Sequence, residues 1–447
     1  MEQRFWLTIA FFFLLTILPL ASASQSWWNG DWGYKKAITI TGGSEILTNF
    51  PVYVSVTYNA NMQNDFDDIR FVDSTDTTGL SYELDSKNDS VSANYWVKIP
   101  SLKTGANTIF IYYGNGAVSS TRDGINTFGS YVGFWNFGEA TGTKTYSRTG
   151  ILNGDLRGGV TWVEGIFGKG LSFDGNGGSY IDVAYSTILR SKNITYETWL
   201  STSGSDATRE PGGHGYSDYN LIMNPSGIVG AVSNHANGGT ATYCGIPINN
   251  GLWHHIALSI NDTGYAFYID GDICFSSALI NAANWGSAFK IGSRGSDGYD
   301  LNWRGLLDNQ AVRNSWSNLA WINRTWGNRY SNLVAFGWEE RPIACFNDLD
   351  CGISGWTGLP SCFNKDLLQI YKNVTCINPG TVESSCLSLD LIKLKQDCGE
   401  NSCGVFDTPY CNGKSIYHKR ACDARDCLNS QCSTNQFVEE EKIKDCP

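Results

Sequence analysis

The sequence predicts an all-β protein in three parts: a β-sandwich over residues 24–128, a second unit of two packed antiparallel sheets over 129–341, and a small disulfide-rich region over 342–447. Three observations predict it. Short runs of alternating apolar and polar residues recur along the chain with Gly, Asn and Asp between them, the period-2 signature of half-buried strands joined by turns. Aromatic residues make up 13% of the 447, and the good helix formers make no long runs. Of the 14 cysteines, twelve crowd between Cys345 and Cys446 in a stretch with few apolar runs, so crosslinks rather than a core must hold that region.

Taken in order, the chain begins with a polar start containing Arg4, an apolar run, and the small residues Ala21, Ser22 and Ala23. That run falls short of the roughly 20 residues a spanning helix needs, so residues 1–23 are expected to be a cleaved secretory signal peptide. No later stretch approaches membrane length, and the C-terminus is polar, so no membrane span is expected in the mature chain.

From Trp27 to about Tyr113, "KKAITIT", "PVYVSVTY", "DIRFVDS", "NYWVKIP" and "TIFIYYG" read as strands. With "WWNGDWGYKKAITI" and "YWVKIPSLKTGANTIFIYYGN", this part resembles a β-domain of uncharacterised function that recurs in archaeal and bacterial surface proteins, commonly ahead of a lectin-like module. From Phe134 onward, six blocks run in order: "GFWNFGEATGTKTYSRTGILNGDL", "GIFGKGLSFDGNGGSYIDV", "ITYETWL", "GLWHHIALSINDTGYAFYIDG", "FKIGS" and "RGLLDNQAVRNS". They resemble the laminin-G-like branch of the concanavalin-A-like jelly rolls, which implies two antiparallel sheets packed face to face. The closing piece "NSWSNLAWINRTWGNRYSNLVAFGWEE" is similar to the short helix and final strand that end this module in proteins sharing the N-terminal domain. The tail from "RPIACFNDLDCG" is similar to small cysteine-rich units of archaeal surface proteins. Its tightest cysteine spacings leave four residues between partners, wider than a zinc ribbon uses, so disulfides are expected. Twelve cysteines allow on the order of ten thousand pairings, and spacing alone assigns none of them.

A net charge of −11 without a basic patch excludes nucleic acid as an expected partner. The adjacent His254 and His255 lie in a strand pattern, where successive side chains point to opposite faces, so they cannot share one ion or substrate atom. Glycoside hydrolysis needs two carboxylates flanking one bond. Glu197 stands alone in its strand, and no nucleophile elbow, zinc helix or phosphate loop is present, so no catalytic residue is assigned and the chain is read as a non-enzyme.

The resemblance implies a structural Ca2+ held by Asp308 in "GLLDNQ" and a group near the start of the module, Glu139; Tyr146 and Asn309 depart from the family pattern. Glycan binding calls for loop aromatics with polar neighbours, and Tyr216, Tyr219, Trp285, Tyr299 and Trp303 are the candidates. Cys244 and Cys274 flank one hairpin and are expected to bridge, and Asn88, Asn193, Asn261, Asn323 and Asn373 open glycosylation sequons. The expected function is that of a secreted cell-surface protein binding carbohydrate or a glycoprotein partner in adhesion or envelope assembly. A structural envelope subunit without glycan binding is the alternative, and a glycoside hydrolase or lyase a more distant one.

Overall fold

The computed structural model describes residues 27–204, 206–215, 219–232, 239–278, 288–294, 301–330, 333–345, 347–381 and 383–445. The expected signal peptide lies outside these residues, as do Tyr216, Trp285, Tyr299 and Cys446. The chain forms two compact units, residues 1–340 and 341–447. Both are all-β, as the sequence predicts.

The first unit opens with six strands: β1 (Tyr34–Thr41), β2 (Leu47–Thr57), β3 (Arg70–Val72), β4 (Tyr82–Asn88), β5 (Ser92–Leu102) and β6 (Ala106–Tyr113). They make two layers. One has the order β2-β5-β4, and the other has β1-β6-β3 plus a fourth strand, Val334–Glu340, beyond β1. Sequence reading placed that last strand at the end of the jelly roll. In the fold it completes the N-terminal sheet, with Lys35 opposite Glu340 and Ile38 opposite Phe336. The alternation of β2 puts Phe50, Val52, Val54 and Val56 in the core between the layers.

Between β6 and that closing strand lies the jelly roll. Its first sheet is ordered Thr161–Glu164, Lys169–Asp174, Arg304–Arg313, Ile194–Ser201, Trp253–Ile260, Gly264–Ile269, Asp272–Ala278, with Gly133–Trp135 added to Arg304–Arg313. The second runs from Thr242–Pro247 through Ile228–Val232, Asn220–Met223, Arg209–Gly213, Lys290–Ile291, Tyr180–Val183 and Asn153–Arg157 to Lys144–Tyr146. Leu200, Ile256, Leu258 and Leu307 pack with Leu221, Met223 and Ile291 between the two sheets.

The other face of the first sheet is also covered. Tyr53 and Trp96, cross-strand neighbours on the outside of β2 and β5, meet Phe167 at ring distances of 4.8 and 5.3 Å, and Phe167 in turn meets Trp199 at 5.6 Å. Helix Leu319–Tyr330 closes one side, its Trp321 edge-on to Phe50 at 4.9 Å. Covered on both faces, the strand Ile194–Ser201 is buried at every position, so its Thr and Glu residues sit inside rather than in water.

The second unit has a three-stranded sheet (Gly355–Phe363, Asp366–Ile377, Ser385–Asp397) and a long hairpin (Ser415–Leu428 with Gln431–Asp445) flanked by two short strands. Its buried apolar cluster is little more than Leu367, Cys398 and Cys427. Disulfides supply the rest: Cys345–Cys376, Cys351–Cys386, Cys362–Cys427, Cys398–Cys432 and Cys403–Cys422. In the jelly roll, Cys244 and Cys274 are joined, with Cα atoms 5.7 Å apart.

Candidate functional site

The two histidines occupy different environments. His255 points to the face beneath the N-terminal domain, 1% exposed, with Nε2 3.4 Å from Glu197 Oε2 and its ring 5.1 Å from Trp199. His254 turns the other way and is held by Asp270 Oδ2 at 2.7 Å and Asn250 Oδ1 at 3.1 Å. Asp270, at φ 51° in the hairpin turn, also accepts from the His255 backbone N–H, so one carboxylate fixes both residues.

Carboxylates converge near the buried junction. Asp308 Oδ2 accepts from Phe167 N at 2.8 Å and Oδ1 from Asn309 N at 2.7 Å. Asp85, from β4, accepts at Oδ1 from Trp96 Nε1 and Asn136 Nδ2, both at 2.9 Å. The turn closed by Gly165 and Gly168 lies between them: a Cβ on Gly165 would strike Asp308 Oδ2, and one on Gly168 would press on Ser86 and Asp85. Burial lifts the Asp85 carboxyl to about 6, against the hydrogen bonds of Asn136 and Trp96 and the charge of Arg148. Burial also pushes Asp308 well above the usual carboxylate range, and the charge of Asp85 adds to it.

Glu139, the sequence-expected companion of Asp308, is engaged elsewhere. It accepts from Thr145 Oγ1 at 3.1 Å and Tyr146 N at 3.2 Å and pairs with Arg148 at 3.4 Å. The carboxyl whose charge acts on Asp308 is Asp85, a residue of the other domain that no local signal marks.

Two of the aromatic candidates, Trp303 and Tyr219, need correction. Trp303 is fully buried, its Nε1 donating to Leu306 O, and Tyr219 is 1% exposed, its hydroxyl donating to Leu189 O at 3.1 Å. Neither offers a ring face to a sugar. Both sit in the core between the jelly-roll sheets, where a large apolar ring gains more than it would on a loop.

Above Trp303, at the end of the sandwich, opens a cleft of about 460 Å³ lined by Ser201, Thr202, Ser203, Gly251, Arg304 and Leu306. Gly305, at φ 140°, lets the chain pass within contact of Ser201 O, where a Cβ would sit at 2.5 Å. Arg304 Nη1 reaches Asp206 Oδ2 at 3.1 Å and Arg209 Nη2 reaches Asp206 Oδ1 at 2.8 Å, which holds the Asp206 carboxyl below its ordinary range. Two guanidiniums thus meet one carboxylate at this rim. Its chemistry is hydroxyl, backbone and guanidinium hydrogen bonding, and the exposed Arg304 and Ser203 present it to solvent. A contact among Ser201, Arg304 and Gly251 joins three distant segments, so it could be found only from the fold.

Of the sequon residues, Asn88 and Asn193 are exposed. Asn261 accepts from Thr263 and Gly264, and Asn323 lies in the helix with Nδ2 directed to Gly271 O at 3.5 Å. Asn373 is half-buried in the second unit. Among the described residues no helix is long and apolar enough to cross a membrane. The metal-type clusters found among them, Cys345/Cys351/Cys386 and Cys403/Cys422/Glu439, consist of disulfide cysteines and one glutamate.

Comparison with known families agrees with this architecture. A sequence profile for a domain of unknown function, DUF2341, matches residues 65–148, and one for the concanavalin A-like lectin/glucanases superfamily, laminin G type, matches residues 174–335. A search of curated proteins returns no match. Among solved structures, the chain is similar to the binding domain of Paraclostridial Mosquitocidal Protein 1 (11% identity, 69% of this chain and 87% of that one, TM-score 0.37). It is also similar to domain 4 of AbnA, a GH43 extracellular arabinanase from Geobacillus stearothermophilus, in complex with arabinotriose (18% identity, 37% and 81%, TM-score 0.31). A third is Trypanosoma rangeli sialidase in complex with sialic acid (13% identity, 67% and 55%, TM-score 0.37). The chain carries a DUF2341 domain followed by a concanavalin-A-like domain of the laminin G type.

Proposed function

We propose that this is an extracellular recognition protein whose jelly roll binds carbohydrate, free or on a glycoprotein, in adhesion or envelope assembly. The observation that carries the reading is the cleft at the end of the sandwich, where the exposed Arg304 and Ser203 stand beside Ser201, Thr202 and Gly251 on a rigid β scaffold. Six disulfides and the absence, among the described residues, of a membrane-crossing helix are consistent with an extracellular site of action. Binding rather than turnover is favoured because Glu197 and Asp308 are buried beneath the N-terminal domain, which itself supplies Asp85, and none of the three lines this cleft.

A structural calcium ion belongs to the same reading, with Asp308 and Asp85 as its carboxylates in place of Asp308 and Glu139. Burial disfavours the charge of both acids, and a hard dication with oxygen ligands would offset that cost.

The test is a glycan and polysaccharide array probed with the full chain, in calcium and then in chelator, with Arg304→Ala alongside. Binding weakened at least about tenfold by Arg304→Ala is expected, the loss of one charge-assisted hydrogen bond. Binding unchanged in the variant removes the cleft from the proposal, and a silent array removes glycan recognition. A melting temperature that is the same in calcium and chelator removes the ion.

A further inference from the structure

On the outer face of the N-terminal sheet, one row of directly opposed residues crosses three strands: Glu340 on the closing strand, Lys35 on β1 and Tyr112 on β6. Asp76, from the turn after β3, drops its carboxyl onto this row. Lys35 Nζ lies 2.8 Å from Asp76 Oδ2 and 3.6 Å from Glu340 Oε2, and the Lys35 and Asp76 side chains are 3% and 2% exposed. The Tyr112 hydroxyl donates to Asp76 Oδ1 at 2.6 Å and itself accepts from Trp28 N at 3.0 Å. Aromatic rings wall the site: Trp27 and Phe110 stand 5.0 and 4.8 Å from Nζ, and Trp27 packs edge-on against Tyr112.

Asp76 is held for this contact. Its backbone is at φ 59°, its N–H donates to Asp73 O, and Asp73 accepts from Thr77 and Thr78 to fix the turn. A primary amine and a carboxyl are thus pressed together in a dry aromatic pocket, with a second carboxyl at the nitrogen and a hydroxyl donor at the far carboxyl oxygen. As an ion pair, these groups bear the desolvation cost of two buried charges. With the same protons rearranged as amine and acid they are a nucleophile and an electrophile held in contact, the condition under which an intramolecular reaction gains most from proximity.

We propose that Lys35 and Asp76 are joined by an intramolecular amide bond that forms in the folded chain, with Glu340 carrying the proton and Tyr112 stabilising the oxyanion. A proton passes from the Lys35 ammonium to the Asp76 carboxylate. The Nζ lone pair then attacks Cγ, and the C–N bond forms while negative charge develops on Oδ1 against the Tyr112 hydroxyl. Glu340 takes a proton from the attacking nitrogen and gives it to Oδ2, which leaves as water as the C–Oδ2 bond breaks. No electron is transferred and no other reactant is needed.

The experiment is mass spectrometry of the full chain, made without glycosylation, reduced and denatured, with Lys35→Arg processed identically. The expected wild-type mass falls short of its sequence by one water relative to Lys35→Arg. Its tryptic map contains a branched peptide joining the segment that ends at Lys36 to Phe71–Lys87, and Glu340→Gln slows or abolishes that peptide. A wild-type mass with no water missing in folded protein overturns the proposal, and so does a missing water without the branched peptide. Because the wild-type measurement decides alone, a Lys35→Arg variant that does not fold leaves the outcome readable.

Discussion

Asp85 is enclosed by Trp96, Asn136, Tyr53 and the Gly165–Gly168 turn, and its carboxyl consequently resists ionisation. Raised from 3.8 to about 6, it favours the protonated folded state, so its stabilising contribution is complete below about pH 4 and is lost as pH rises through about 6. In chelator, the first unit is therefore expected to melt higher at pH 5 than at pH 7. Asp85→Asn, which keeps an acceptor for Trp96 and Asn136, should flatten that difference, worth on the order of 1 kcal/mol between these two pH values. Thermal melts across pH 4–8 check this, and a wild-type curve as flat as the variant's would refute it. Such residues escape sequence reading. Asp85, Lys35 and Glu197 look like solvated positions in alternating strands, and become interior only because distant parts of the chain cover the outward face. The histidine pair was legible for the opposite reason: strand geometry alone separates adjacent side chains.

Individual strands were readable from alternation, but their partners were not. Val334–Glu340 follows the jelly roll in sequence and pairs with β1, about 300 residues earlier, a contact with no local signature. The jelly roll is in this sense inserted into the N-terminal domain. Its first sheet depends on that domain to cover Phe134, Phe167 and Trp199. Residues 129–341 produced alone are expected to expose these rings, bind a hydrophobic dye and melt below the 27–341 fragment. Equal melting temperatures would show that the covering contributes nothing. Tyr219 and Trp303 failed as sugar platforms through a related blindness: an aromatic residue in a segment rich in glycine and polar residues reads as exposed, yet both rings fill the sandwich core.

At the scale of the molecule, two stabilising strategies share one chain. The first unit relies on stacked apolar layers, and the second, with scarcely any buried cluster, relies on crosslinks. Cysteine density made this division plain in the sequence, whereas the pairings needed three-dimensional neighbours. The antiparallel pairing of β1 with Val334–Glu340 bears on how the first unit meets mechanical load. Lys35 faces Glu340, so the chain enters and leaves this unit side by side at one end of the same strand pair. Tension between those two points loads the ladder hydrogen bonds one after another, as in a zipper, instead of shearing them together. Single-molecule pulling from residues 34 and 340 is expected to open this seam at low force before the jelly roll yields, and an initial high-force rupture would contradict it. A protein tethered through both ends of this unit would therefore pay out slack at its seam first, leaving the recognition module folded.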